Sequence, residues 1–397
     1  MDQYLINLLH KEFKIGKMKL TFLHILLIVG ITYVTLMMRY CMRDNETWDY
    51  FASWEPWIAK MKEMGGFKGL SGDFYDYTPA YVFIVLMLSY LPVKLLYSIK
   101  MVSVLFDIIM SIMSGVIIYD ITKNRTKAIG IYSIMMLAPT VANNSALWGQ
   151  CDVIYTTAIL CAIYHLMNDR PAKGMLFYGI AFALKLQSLF VFPALIVLWA
   201  LKKVDLKHFL FMPLMYFFGI FPAWIAGRPL KELILIYAVQ ADKSPQLSLG
   251  YPNIYQIVGT TDFLEVYSSA AIWLTLGFMM IVMYYVARSR VNLSKEFIVQ
   301  LFLLFVLISM CFLPFMHERY AYVADVTAVI YGFIYIKKFY VPLLQILISF
   351  SAYSIILSAY VNVPVIIYSF ATLFLIFDIG MGVYRYVEKN QKCEESA

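Results

Sequence analysis

The chain has 397 residues, 62% hydrophobic and 14% charged, with a mean hydropathy of +0.72 and a formal charge of +7. Soluble domains carry about 25% charged residues, so an all-aqueous fold is excluded; repeated apolar runs of roughly 15–22 residues define an all-α polytopic membrane protein. There is no glycine-rich dinucleotide fingerprint, P-loop or long soluble tail, so any chemistry belongs in or beside the bilayer, and the charge requires no nucleic-acid partner.

Four lysines (Lys11, Lys14, Lys17, Lys19) precede the first apolar run, 20–38. No small-residue cleavage site follows, so the run reads as a retained span with a cytoplasmic N-terminus. The stretch 39–81 is then the only long polar segment in the first half. Seven acids (Asp44, Glu46, Asp49, Glu55, Glu63, Asp73, Asp76) alternate there with Trp48, Trp54 and Trp57. Rings with a wet edge suit the membrane interface, and this is the expected outer active-site loop. Pro56 and Gly65-Gly66 break it, and 54–64 is predicted as a helix lying on the surface. Trp48, Tyr50 and Phe51 are expected to bury the surroundings of Asp49.

The run 79–92 is too short for a crossing, which needs about twenty residues. Basic clusters recur at Lys123/Arg125/Lys127, Arg170/Lys173, Lys202/Lys203/Lys207, Arg288/Arg290/Lys295, Lys337/Lys338 and Arg385/Lys389/Lys392. All of them face the cytoplasm if 79–92 re-enters without crossing. The later spans are predicted at 99–119, 128–142, 152–167, 174–186, 188–201, 208–226, 268–287, 297–314, 320–336, 341–358 and 364–384. Together these make about twelve crossings with both termini inside. The stretch 174–201 is read as two short spans, with one tilted helix as the alternative. The whole is one membrane domain, 1–397: an outer loop with its re-entrant segment (39–98), a core module (99–336), then C-terminal helices and a short tail (337–397).

Five scattered cysteines (Cys41, Cys151, Cys161, Cys311, Cys393) form neither a disulfide framework nor a zinc pattern. In NNSALWGQCDVIY, Trp148 reads as an interface anchor, Gly149 as a turn, Asp152 as an N-cap and Gln150 as a buried amide needing a partner. Lys185 and Gln187 interrupt an apolar run; such a lysine snorkels or meets an anion, a phosphate being one. His317-Glu318-Arg319-Tyr320 does not match a zinc-protease pattern. Glu318 suits a structural cap at a helix start, and Arg319 suits a bidentate phosphate contact. Asp325 falls on the same helical face about 10 Å deeper. Asp107, mid-span, is expected to pair with Lys100 or a helix neighbour.

Five pieces in order, W-D-Y-F-x-x-W, D-Y-T-P-x-Y, A-L-W-G-Q-C-D, L-K-L-Q-S-L-F-V-F-P and H-E-R-Y, run from Trp48 to Tyr320. In them the chain resembles the GT-C superfamily of integral-membrane glycosyltransferases. It looks most like bacterial and archaeal relatives of the enzyme that adds the second mannose to glycosylphosphatidylinositol. The resemblance implies a GT-C fold in a cell membrane, bacterial by these relatives. It also implies inverting transfer of a mannose-like hexose from a polyprenyl-phosphate sugar to a lipid-linked or cell-surface glycan, on the non-cytoplasmic face. It assigns Asp49 as catalytic base, with Asp44 and Asp73 as rivals because the family's paired acids are here Trp48-Asp49. Asp76, Tyr77, Trp148, Gln150 and Asp152 match its motifs, and Lys185, His317 and Arg319 its groups near the donor phosphate; Gln187, Glu318 and Tyr320 lie within the same motifs. No cofactor beyond the lipid-phosphate donor is expected, and no tight carboxylate cluster supports a divalent metal. The rival reading is a transporter or lipid-linked-sugar flippase, although no second copy of the unusual elements appears.

Overall fold

The computed structural model describes residues 3–16, 18–241, 246–259, 264–357 and 364–395. Lys17, residues 242–245 and 260–263 between the helices Leu230–Ala241 and Leu264–Arg288, residues 358–363, and the side chains of Lys392 and Cys393 lie outside that description. The described chain is overwhelmingly helical. Among the described residues, seven helices are long and apolar enough to cross a bilayer: Phe22–Cys41, Leu95–Thr122, Leu206–Ala226, Glu265–Arg288, Lys295–Phe312, Ile336–Leu357 and Val365–Gln391. Four shorter apolar helices, Pro79–Leu88, Asp152–Leu166, Pro171–Leu184 and Leu186–Ala200, pack among them. The structure is thus an all-α polytopic membrane protein.

Lys295–Phe312 and Tyr322–Ile334 are largely apolar and buried nearly all round, as the core of a helical assembly requires. Phe22–Cys41, by contrast, turns most of its surface outward. Thr21 and His24 form a reciprocal cap at its start. At its other end Lys100 Nζ donates to the carbonyls of Met42, Arg43 and Asn45 at 3.0, 3.2 and 2.6 Å. Lys100 is thereby committed, and Asp107 does not pair with it. Asp107 instead accepts from Arg39 Nε at 2.8 Å and from Ser145, all three side chains being buried. The expected interior pairing is met, with a guanidinium from the helix Phe22–Cys41 as the partner in place of Lys100. Two buried charges are tolerated only when they meet, and this pair ties the outlying helix to the core.

Polar links gather at both ends of the bundle. At one end lie Arg125–Glu12 (2.7 Å), Lys295–Asp120 (2.6 Å), Lys203–Asp169 (2.8 Å) and the bond from Lys127 Nζ to the Phe333 carbonyl (3.2 Å). The Lys203–Asp169 pair brings together the start of Pro171–Leu184 and the end of Phe192–Ala200. Those helices therefore form an up-and-back pair, not one tilted rod. At the opposite end, Thr78 bonds the Leu184 carbonyl (2.8 Å), while Tyr97 bonds Asp44. Both flanks of Pro79–Leu88 consequently lie at this second end. The helix Glu55–Glu63 lies there too, burying Ile58 and Met61 and exposing its remaining polar face.

Candidate active site

The second end collects the polar motifs. Asp49 opens a wide turn, Tyr50–Trp54, that is anchored by Trp54. The Trp54 ring packs on Trp57, Tyr77 and Tyr81 at centroid distances of 5.4, 5.2 and 5.3 Å. Trp48 (81% exposed) and Phe51 (50%) point away, and Tyr50 is buried elsewhere. They do not enclose Asp49, contrary to expectation; successive side chains on a helical turn diverge. Asp49 is enclosed instead by the turn Asn143–Trp148. Asn45 and Thr47 bond the carbonyls of Leu147 (3.2 Å) and Trp148 (3.3 Å). Gly149 ends that turn at φ 80°, a left-handed conformation that a side chain would strain. The chain is thereby redirected so that Trp148 Nε1 (3.0 Å) and Gln150 Nε2 both donate to Asp49 Oδ2.

Arg319 Nη1 lies 3.8 Å from the same oxygen. All three contacts fall on Oδ2, which leaves Oδ1 without a donor among the described residues. Arg319 is stacked over Trp148 (5.3 Å) and Tyr320 (5.8 Å) and bonds Glu318 Oε1 at 3.0 Å. Glu318, 2% exposed, faces His317 Nδ1 at 3.6 Å. Burial alone would push its pKa up, but His317 and the Arg319 charge outweigh burial and hold it below the usual 4.5. Arg319 is raised well above its usual value: burial opposes its charge, and Glu318 and Asp49 overcome that. Glu318 thus serves as Arg319's counter-ion and not as a helix cap. The residue at the cap position is His317, which makes no capping bond. A short strand pairing, Ser248–Leu249 with Met316–His317, braces the segment from the long loop.

Asp152 is not an N-cap either. Cys151 occupies that position, and the Asp152 carboxylate is buried, bonded by Asn144 Nδ2 at 2.9 Å and ion-paired with Lys185. Lys185 is freed for this role because Pro171–Leu184 stops there: it is extended (φ −156°, ψ 134°), and a 3-10 turn, Leu186–Val191, follows. Its ammonium lies between the rings of Tyr77 (5.8 Å) and Tyr155 (5.7 Å). A buried partner replaces the snorkelling alternative. The Tyr77 hydroxyl contacts Cys151 Sγ at 3.1 Å.

A cavity of about 800 Å³ adjoins Lys185 and Arg319; Asp49 is not among its lining residues and reaches it through the Arg319 contact. Asp76, Tyr77, Lys185, Gln187, His317, Arg319 and Tyr320 supply its polar wall, while Leu189, Phe190, Ile272, Leu276, Met279 and Phe315 supply the apolar one. Trp148, Gln150 and Asp152 stand behind the wall. Of the rival acids, Asp44 is bound to Tyr97 and Arg43, and Asp73 lines a separate pocket. Sequence reasoning missed Asn144, which links Asp152 to the Tyr353 hydroxyl (3.2 Å), and Gln240, which bonds the Asp76 carbonyl. The doubled asparagine just ahead of the third motif was a signal for the first; Gln240 carried none.

No family model matches the chain. A stretch of 117 residues is 34% identical to GPI mannosyltransferase 1 of Kluyveromyces lactis, covering 29% of this chain and 27% of that protein. The match thus spans about a quarter of the relative's length. This partial likeness, on an all-α membrane protein, supports a mannosyltransferase-like relationship.

Proposed function

We propose that the protein is an inverting GT-C glycosyltransferase of about twelve crossings. It moves a mannose-like hexose from a polyprenyl-phosphate sugar to a lipid-linked or surface glycan acceptor, on the non-cytoplasmic face of a cell membrane. The observation that carries the reading is the Asp49–Arg319 contact beside an amphiphilic cavity. A carboxylate and a guanidinium 3.8 Å apart are the base and the phosphate partner that such a transfer needs.

In the proposed step, Asp49 Oδ1 takes the proton of the acceptor hydroxyl. The freed oxygen forms a bond to the anomeric carbon as the bond from that carbon to the phosphate oxygen breaks on the opposite face. The electron pair leaves with the lipid phosphate, and Arg319 and His317 meet the developing charge. Lys185 acts mainly by holding Asp152 and Tyr77 in place, since its own charge is matched. The apolar wall accommodates the first isoprene units, and a cavity of this size lies within the usual range for ligand sites, about 300–1,000 Å³.

The separation of polar links between the two ends supports the expected sidedness. Arg125, Lys127, Lys203 and Lys295, from four of the basic clusters, pair at one end and the motifs gather at the other, a distribution that the positive-inside rule favours for an outward-facing site. The re-entrant reading of 79–92 is supported by both its flanks lying at the motif end. The test is reconstitution of the purified protein with radiolabelled polyprenyl-phosphate mannose and a lipid extract. Label passing into a glycan product, with polyprenyl phosphate released, is expected. Movement of intact donor across the bilayer without bond cleavage would instead establish a flippase.

A further inference from the structure

A second pocket, of about 450 Å³, opens beside the cavity, and Asp76 and Gln240 line both. Its distinguishing group is Arg228. The side chain is only 7% exposed, yet Nε and Nη1 make no hydrogen bond among the described residues. Glu232 forms an ion pair with Nε at 3.5 Å without hydrogen-bond geometry. One face of the guanidinium is covered by the Tyr75 ring at 4.6 Å, so only its edge remains to a ligand. Tyr75 is itself fixed by a 2.7 Å bond from its hydroxyl to the Leu70 carbonyl. Buried N–H groups without acceptors cost free energy unless something supplies them. Lys231 adds a second, exposed cation at the rim.

We infer that this pocket binds the phosphate of a second, hydroxyl-bearing substrate: Arg228 and Lys231 take the phosphate oxygens, and Asp73 and Glu232 accept from the adjacent hydroxyls. Guanidinium edges match phosphate oxygens, and carboxylates beside them favour a sugar or polyol phosphate over bare phosphate. The inference deepens the transferase reading and rests on it for the role of acceptor headgroup. A lipid-borne and a water-soluble sugar phosphate share this chemistry.

The test uses the full chain in detergent carrying Arg319→Met, which silences the phosphate partner of the main cavity. Titration with inorganic phosphate should still saturate. Adding Arg228→Gln should weaken binding about tenfold or more, as expected for a lost charge-assisted contact, and adding Lys231→Gln about two- to threefold, as for an exposed charge. Lys231→Gln decides the matter if Arg228→Gln does not elute as a folded protein. Displacement of phosphate by phosphatidylinositol vesicles, but not by phosphatidylcholine alone, assigns a lipid-borne headgroup; displacement only by mannose 1-phosphate assigns a soluble one. No binding in the Arg319→Met background, or binding that neither added substitution weakens, overturns the site. Binding is read without transfer, so an intact Arg228 site together with no sugar transfer by the unmodified protein would defeat the transferase reading alone.

Discussion

Trp148 Nε1 donates to Asp49 Oδ2 at 3.0 Å although ninety-nine residues separate them. The indole supports the stacked Arg319 on its face and orients the carboxylate through its edge. Trp148→Phe keeps the stacking surface and removes the donor. We expect turnover to fall about tenfold, in line with one lost hydrogen bond to a charged group, with KM for the donor unchanged. Equal losses in kcat and binding would show that the ring acts only as packing.

The Lys185–Asp152 pair is buried on both sides. Lys185→Met leaves a carboxylate stranded, which costs about 3–5 kcal/mol. The variant should unfold at markedly lower temperature in detergent, and adding Asp152→Asn should recover most of the loss. Unchanged thermal stability of the single variant would return Lys185 to a phosphate-binding role.

Acid should weaken the 317–320 segment. The folded pKa of Glu318 is depressed, so its pairing with Arg319 stabilises the fold above the ordinary value of 4.5 and is lost as pH falls through the lower folded value. Thermal midpoints measured downward from pH 6 should stay level and then drop below about pH 4.5. Glu318→Gln should be less stable at neutral pH and show a flatter acid limb.

Sidedness is open to single-cysteine labelling in a cysteine-free background. Arg125→Cys and Lys338→Cys should be silent to an impermeant reagent in intact cells, and Glu46→Cys should react. Labelling at Arg125→Cys would place 79–92 across the membrane.

Apolar runs sufficed to place the long membrane helices, since lipid makes each span a run of apolar residues, but not the helix Leu230–Ala241 that follows Gly227. The motif residues were legible too: Asp49, Trp148, Gln150 and Arg319 were singled out, and they converge. Their partners were not. Asp107 meets Arg39, 68 positions away, and Lys185 meets Asp152, 33 away. Such pairings depend on which helices pack together, which no local spacing encodes. Asp152 looked like a cap because acids favour helix starts, but the need to neutralise a buried lysine prevailed. Arg228 was overlooked within a long loop, although a Gly-Arg-Pro run after an apolar helix marks a fixed turn.

The central claim is that Asp49 removes the acceptor proton. Asp49→Asn preserves size and still accepts from Trp148 and Gln150 through its carbonyl oxygen, but takes no proton. The decisive measurement is the turnover of purified, reconstituted Asp49→Asn with saturating donor, beside a direct measurement of donor affinity. The account predicts a fall of about 10²–10⁴-fold, the usual cost of a lost general base, with affinity near that of the unmodified protein. Transfer within about threefold of that protein, when a lost general base should cost at least a hundredfold, together with a collapse in Asp44→Asn or Asp73→Asn, would contradict it.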